Sequence, residues 1–187
     1  MLSKFYTNLG GFMTIKDVTY TALFTALIIV LGVFPPISIA ILPVPLVIQN
    51  FGVLLAAMIL GPKRGTLSVF IFLVLVALGL PFLTGGRGGF GVFFGATSGY
   101  LIAWLGMPLV IGLVRRLFGQ SDKWYATFAS LIVGGISFAD IIGSVGISLV
   151  SSIPYFKALS SNIVFLPGDL VKVVLTLIIY QRVKKHI

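Results

Sequence analysis

An ionisable side chain inside a long apolar run costs about 3 kcal/mol or more at the centre of a bilayer unless it is paired or reaches water, so such residues are functional candidates by default. The run Leu166-Pro167-Gly168-Asp169-Leu170-Val171-Lys172 holds two of them. Pro167 suits a first helical position, and Asp169 then falls in the first turn, where the helix dipole favours a carboxylate. Asp169 and Lys172 are three residues apart and share a helix face. They either neutralise one another or offer an acceptor and a donor to a polar ligand. Asn50 lies in another apolar run, and Arg87 in the segment Thr84-Gly85-Gly86-Arg87-Gly88-Gly89-Phe90. Glycines there permit close backbone approach to a ligand or a mobile lid, or simply a flexible turn. The Lys-Ser/Thr ending of a nucleotide P-loop is missing. Asp140, in a further apolar run, reads equally as a ligand group, a hydrogen-bonded helix-packing carboxylate, or a partner for Lys157 or Lys172.

The elements that carry these groups are membrane helices. Of 187 residues, 58% are hydrophobic and 9% charged, with a mean hydropathy of +1.16, against the near-quarter charged share of soluble domains. At roughly 20 apolar residues per crossing, the chain has room for a single all-α membrane domain of about six spans. Apolar runs between Pro, Gly and charge breaks place these at 18–34, 44–61, 65–81, 90–114, 125–151 and 166–182. Lys4, Lys16, Lys63, Arg64, Arg115, Arg116, Lys123, Arg182, Lys184 and Lys185 then fall on one side, Arg87 and Lys157 on the other, and Lys172 within a span. The positive-inside rule makes the basic side cytoplasmic, so both termini are expected there. The sixth span enters from outside, with Asp169 near the outer surface and Lys172 about 4.5 Å deeper. Asn50 falls about two turns into the second span, so Asn50, Arg87, Asp169 and Lys172 all reach the outer third, and Asp140 could join them.

Other classes fit less well. The net charge of +9 is scattered at span ends and forms no basic stripe, so nucleic acid is not an expected partner. There is no cysteine and no Glu, one histidine, His186, in the tail, and Asp only at four distant positions. Neither a metal site nor a catalytic triad can be assembled from these. Met1–Lys16 lacks the apolar core and cleavage site of a signal peptide, so the first span is expected to stay in the mature protein. Small residues every four positions, Ala22 and Ala26 in the first span and Gly91, Gly95 and Gly99 in the fourth, permit close helix approach, or in the fourth clear room for a ligand. The first pair could instead be a docking surface for another membrane subunit.

Together Ala22–Ala26, Pro43-Val44-Pro45 through Gln49-Asn50, Gly61-Pro62-Lys63-Arg64-Gly65, the Thr84–Gly95 region and Leu166–Lys172 resemble the BioY family, the biotin-specific S components of energy-coupling factor transporters. The likeness covers nearly the whole chain. It implies a six-helix S-component fold in a bacterial cell membrane, with a biotin pocket towards the outer side capped by extracellular loops. It also implies no cofactor and a partnership with a transmembrane coupling subunit and two ATPases, to which Ala22 and Ala26 correspond. Biotin offers two ureido N–H donors, a carbonyl acceptor, an apolar ring and chain, and a carboxylate. Asp169 can accept from an N–H, Asn50 can donate and accept, and Lys172 or Arg87 can meet the carboxylate or the carbonyl. Asp140, Gly88 and Tyr100 are secondary candidates. The rival readings are an S component for another vitamin and a self-sufficient facilitator. A membrane enzyme lacks its acid/base cluster.

Overall fold

The computed structural model describes residues 14–36 and 47–185; Pro43-Val44-Pro45, the expected start of the second span, Lys4 and His186 lie outside them. The described residues are mostly helical and contain no strand, only an isolated bridge between Leu83 and Arg87.

Helix α1, Ile15–Leu31, opens on a capping box: the Asp17 amide donates to Thr14 Oγ1 (3.2 Å) and the Thr14 amide to Asp17 Oδ2 (2.9 Å). Thr21, Phe24, Thr25 and Ile28 recur at helical spacing and face the core. Ala22 and Ala26 lie on the exposed side.

Helix α2, Gln49–Ala77, holds 49–61 of the second expected span, 44–61, and 65–77 of the third, 65–81, in one stretch that doubles back at Gly61 (φ 76°, ψ −177°). That backbone region is open essentially to glycine alone, and Pro62 follows it, where a helix can restart. The arms 49–60 and 62–77 run side by side. A Cβ at Gly65 would lie 3.0 Å from Ala56 O, and the first residue, Gln49, bonds to Phe82 and Thr84 beyond the last. Ser68 Oγ donates to Thr21 O (3.2 Å) and lies 3.1 Å from Thr25 Oγ1, fastening the second arm to α1.

The fourth expected span, 90–114, is corrected at its start. A 3₁₀ turn, Phe90–Phe94, and a bend precede helix α3, Ser98–Leu117. Gly91, Gly95 and Gly99 therefore do not form one helix face: Gly91 has open space around it, Gly95 only touches Val92, and Gly99 alone packs closely, against the backbone of 142–146.

The fifth span, 125–151, is helix α4, Trp124–Leu131, a π segment, Ile132–Ser137, and helix α5, Phe138–Ser151. Gly134 in the π segment rests on the Ile111 backbone, where a Cβ would come within 2.6 Å. A left-handed Ser152 (φ 54°) ends α5. A short helix α6, Tyr155–Ser161, then leads through Asn162–Val164 into helix α7, Leu166–Val183, with a 62° bend between the two.

Ser98–Leu117 and Trp124–Ser151 are each long and apolar enough to cross a membrane, as is Gln49–Ala77 when its two arms are taken as one stretch, and the bent pair ending in α7 passes as a fourth. One core built on Ile28, Leu54, Phe72, Trp104, Met107 and Val173 joins the helices. Large apolar side chains such as Leu23, Ile102, Leu113, Leu149 and Val171 stand exposed around the perimeter, the surface expected of a protein solvated by lipid.

Candidate functional site

The polar groups singled out in the sequence converge on one cavity between the helices, with Asn50, Arg87, Tyr100, Asp140, Asp169 and Lys172 all in its lining. Its apolar wall includes Leu54, Trp104, Met107, Ile136 and Phe165, the mix of enclosing apolar surface and few polar groups that small-molecule sites show.

Asp169 and Lys172 form an ion pair of 2.8 Å on the first turns of α7, both largely buried. Lys172 Nζ also donates to Val47 O (2.8 Å), which brings α7 against the entry to α2. Asn50 is in the first turn of α2, not two turns in, because the helix starts at Gln49. From there Asn50 Nδ2 donates to Asp169 Oδ1 (3.2 Å). That bond fixes which way the amide points, and it leaves Asn50 Oδ1 buried with no hydrogen-bond partner among the described residues. An unpaired buried acceptor costs about 1–3 kcal/mol, and the residue that carries it belongs to the cavity lining.

Arg87 closes a tight turn. Leu83 N donates to Arg87 O (2.9 Å) and Arg87 N to Leu83 O (3.2 Å), with Gly85 and Gly86 at φ 81° and 69° in between. Its Nε donates to Thr84 O (3.3 Å) in a part-buried bond, and the residue is exposed while contributing to the cavity lining. Gly88 does not line the cavity. It packs onto the Leu80 carbonyl with no room for a Cβ, so its place is in the backbone of the loop.

Asp140 lines the cavity but forms an ion pair with neither Lys157 nor Lys172 among the described residues. Tyr100 OH donates to Asn162 Oδ1 (2.9 Å), and Asn162 Nδ2 donates to Ser144 Oγ (3.0 Å) and Asp140 O (3.3 Å). Sequence reasoning missed Asn162, which carries no charge and sits in a short turn. It also passed over the bonding role of Gln49, visible only as a polar residue beside Asn50 in an apolar run. Trp104 and Met107 were indistinguishable from core.

A model of the BioY family matches residues 4–187. The chain is 44% identical over 174 residues to the biotin transporter BioY of Lactococcus lactis subsp. cremoris (strain MG1363), a match covering 92% of each protein. It is 39% identical over 176 residues to the biotin transporter BioY of Rhizobium etli, covering 91% of this chain and 94% of that one. Among solved structures it resembles the S-component for biotin from an ECF-type ABC transporter, with a TM-score of 0.85 and 44% identity over 91% of this chain and 92% of that one. At that identity and coverage the helical arrangement described above is an S-component fold, and the chain belongs to the BioY family.

Proposed function

We propose that this chain captures biotin in the cavity as the substrate-specificity subunit of an ATP-driven vitamin importer. The observation that carries the reading is Asn50 Oδ1, buried and unpartnered beside the Asp169–Lys172 pair. A ureido ring presents the complement: two N–H donors flanking one carbonyl. One N–H reaches Asn50 Oδ1, the other Asp169, and Lys172 donates to the carbonyl with a proton not used on Asp169 Oδ1 or Val47 O. Arg87, at the margin on a separate loop, meets the carboxylate, and Trp104, Met107 and Leu54 enclose the apolar ring and chain.

The membrane arrangement belongs to the same proposal. Six spans follow from α1, the two arms of α2, α3, the α4–α5 stretch and α7. The charges support cytoplasmic termini. Arg64 pairs with Asp17 at the start of α1 (2.7 Å), and Arg115 pairs with Asp122 (2.8 Å), while the cavity residues gather at the opposite helix ends. In this reading the subunit confers specificity and draws energy from a coupling subunit and ATPases, for which the exposed Ala22 and Ala26 on α1 offer a contact.

Calorimetric titration of the purified protein in detergent tests the specificity. Biotin is expected to bind and not to be displaced by riboflavin, thiamine or lipoate. Displacement by one of these would assign the site to that vitamin, and accumulation of biotin by the lone protein in ATP-free proteoliposomes would remove the need for partners.

A further inference from the structure

Gln49, the neighbour of Asn50, has every hydrogen-bonding position of its amide in use although the residue is completely buried. Nε2 donates to Ile28 O (3.0 Å) near the end of α1 and to Phe82 O (2.7 Å). Oε1 accepts from Thr84 N (3.1 Å) and from Thr84 Oγ1 (3.2 Å). The amide can enter this junction only because Gly32 has no side chain: a Cβ there would lie 2.5 Å from both Gln49 Nε2 and Phe82 O. Phe82 and Thr84 flank Leu83, whose backbone exchanges two hydrogen bonds with Arg87. Thr84 O also accepts from the Arg87 guanidinium. Two short links thus connect Gln49 to Arg87. Successive residues of a helix point about 100° apart, so Gln49 grips the loop while Asn50 faces Asp169.

We infer that Gln49 is a positioning residue, which clamps the Leu83–Arg87 turn to the end of α1 and thereby sets the spacing between Arg87 and the Asn50–Asp169–Lys172 group. The affinity consequence rests on the biotin reading; the clamp itself does not. Only an amide suits the junction, because two carbonyls need donors and the Thr84 amide and hydroxyl need an acceptor. A carboxylate at this place turns an oxygen towards Ile28 O and Phe82 O, and an aliphatic side chain leaves Phe82 O and the Thr84 amide and hydroxyl unpaired, with Ile28 O keeping only its bond from Gly32 N (3.3 Å).

Hydrogen exchange on the ligand-free protein tests the clamp directly. In Gln49→Leu, amides in the 80–89 segment are expected to exchange about tenfold faster, with α3 amides within about twofold of wild type. Gln49→Glu, closest in shape, is expected to give the same pattern and stands in if Gln49→Leu does not fold. Unchanged exchange at 80–89 would overturn the proposal, and so would equal acceleration throughout α3, which would mean general loosening. A double-mutant cycle then reads the positioning. Gln49→Leu should weaken biotin about tenfold in the wild-type background and about twofold or less in Arg87→Ala. Equal losses in both backgrounds would overturn the role through Arg87. A wild type that fails to bind biotin counts against the functional reading alone, and the exchange result still decides the clamp.

Discussion

Lys172 is 7% exposed, with its ammonium held between Asp169 and Val47 O. Removing one member of such a pair leaves the other as an uncompensated buried charge, which destabilises far more than losing both. Lys172→Ala is therefore expected to lower the stability of the ligand-free protein by about 3 kcal/mol, and adding Asp169→Asn should recover part of that. Thermal unfolding in detergent checks it; a double variant less stable than Lys172→Ala would show that the pair is not coupled in this way. The spacing of these two residues was legible in the sequence because a helix fixes what meets at three residues. The Asn50–Asp169 bond was not, since it joins positions 119 residues apart and no local pattern encodes it. Gln49 escaped for the same reason: its partners are three backbone groups and a hydroxyl drawn from two other segments.

At the scale of elements, glycine and proline were reliable guides where they break a helix. Gly61-Pro62 separates two expected spans, and the chain does reverse there, at a backbone angle glycine alone tolerates comfortably. Gly61→Ala meets no neighbouring atom, so its cost is conformational: a loss of about 1–3 kcal/mol, read as a lower melting temperature. A melting temperature unchanged from wild type would mean that the reversal does not depend on this dihedral. Small-residue spacing misled in the fourth span because a period of four implies one face only if the backbone is α-helical throughout, and the α-helix starts only at Ser98, after a 3₁₀ turn over Phe90–Phe94. The π segment at Ile132–Ser137 had no signal at all. It places Gly135 and Ile136 in the cavity wall, and its Gly134 and Gly135 pack against Ile111 and Leu54, which lie in other helices.

For the molecule as a whole, composition was the most informative level. The apolar perimeter follows from hydropathy, and the basic residues at one end from charge counting, the pattern the positive-inside rule would produce. The cavity lies towards the opposite end, where three segments distant in sequence deliver donors and acceptors to one apolar chamber. The proposed assignment of the ureido ring turns on the buried, unpartnered acceptor of Asn50. The most direct test is the affinity for biotin of Asn50→Leu beside wild type, with equal melting temperatures established first. The expected result is a dissociation constant raised about tenfold or more, the loss of one buried hydrogen bond to the ligand, with the Asp169–Lys172 pair intact. An unchanged dissociation constant would contradict the assignment of the ureido ring to this group.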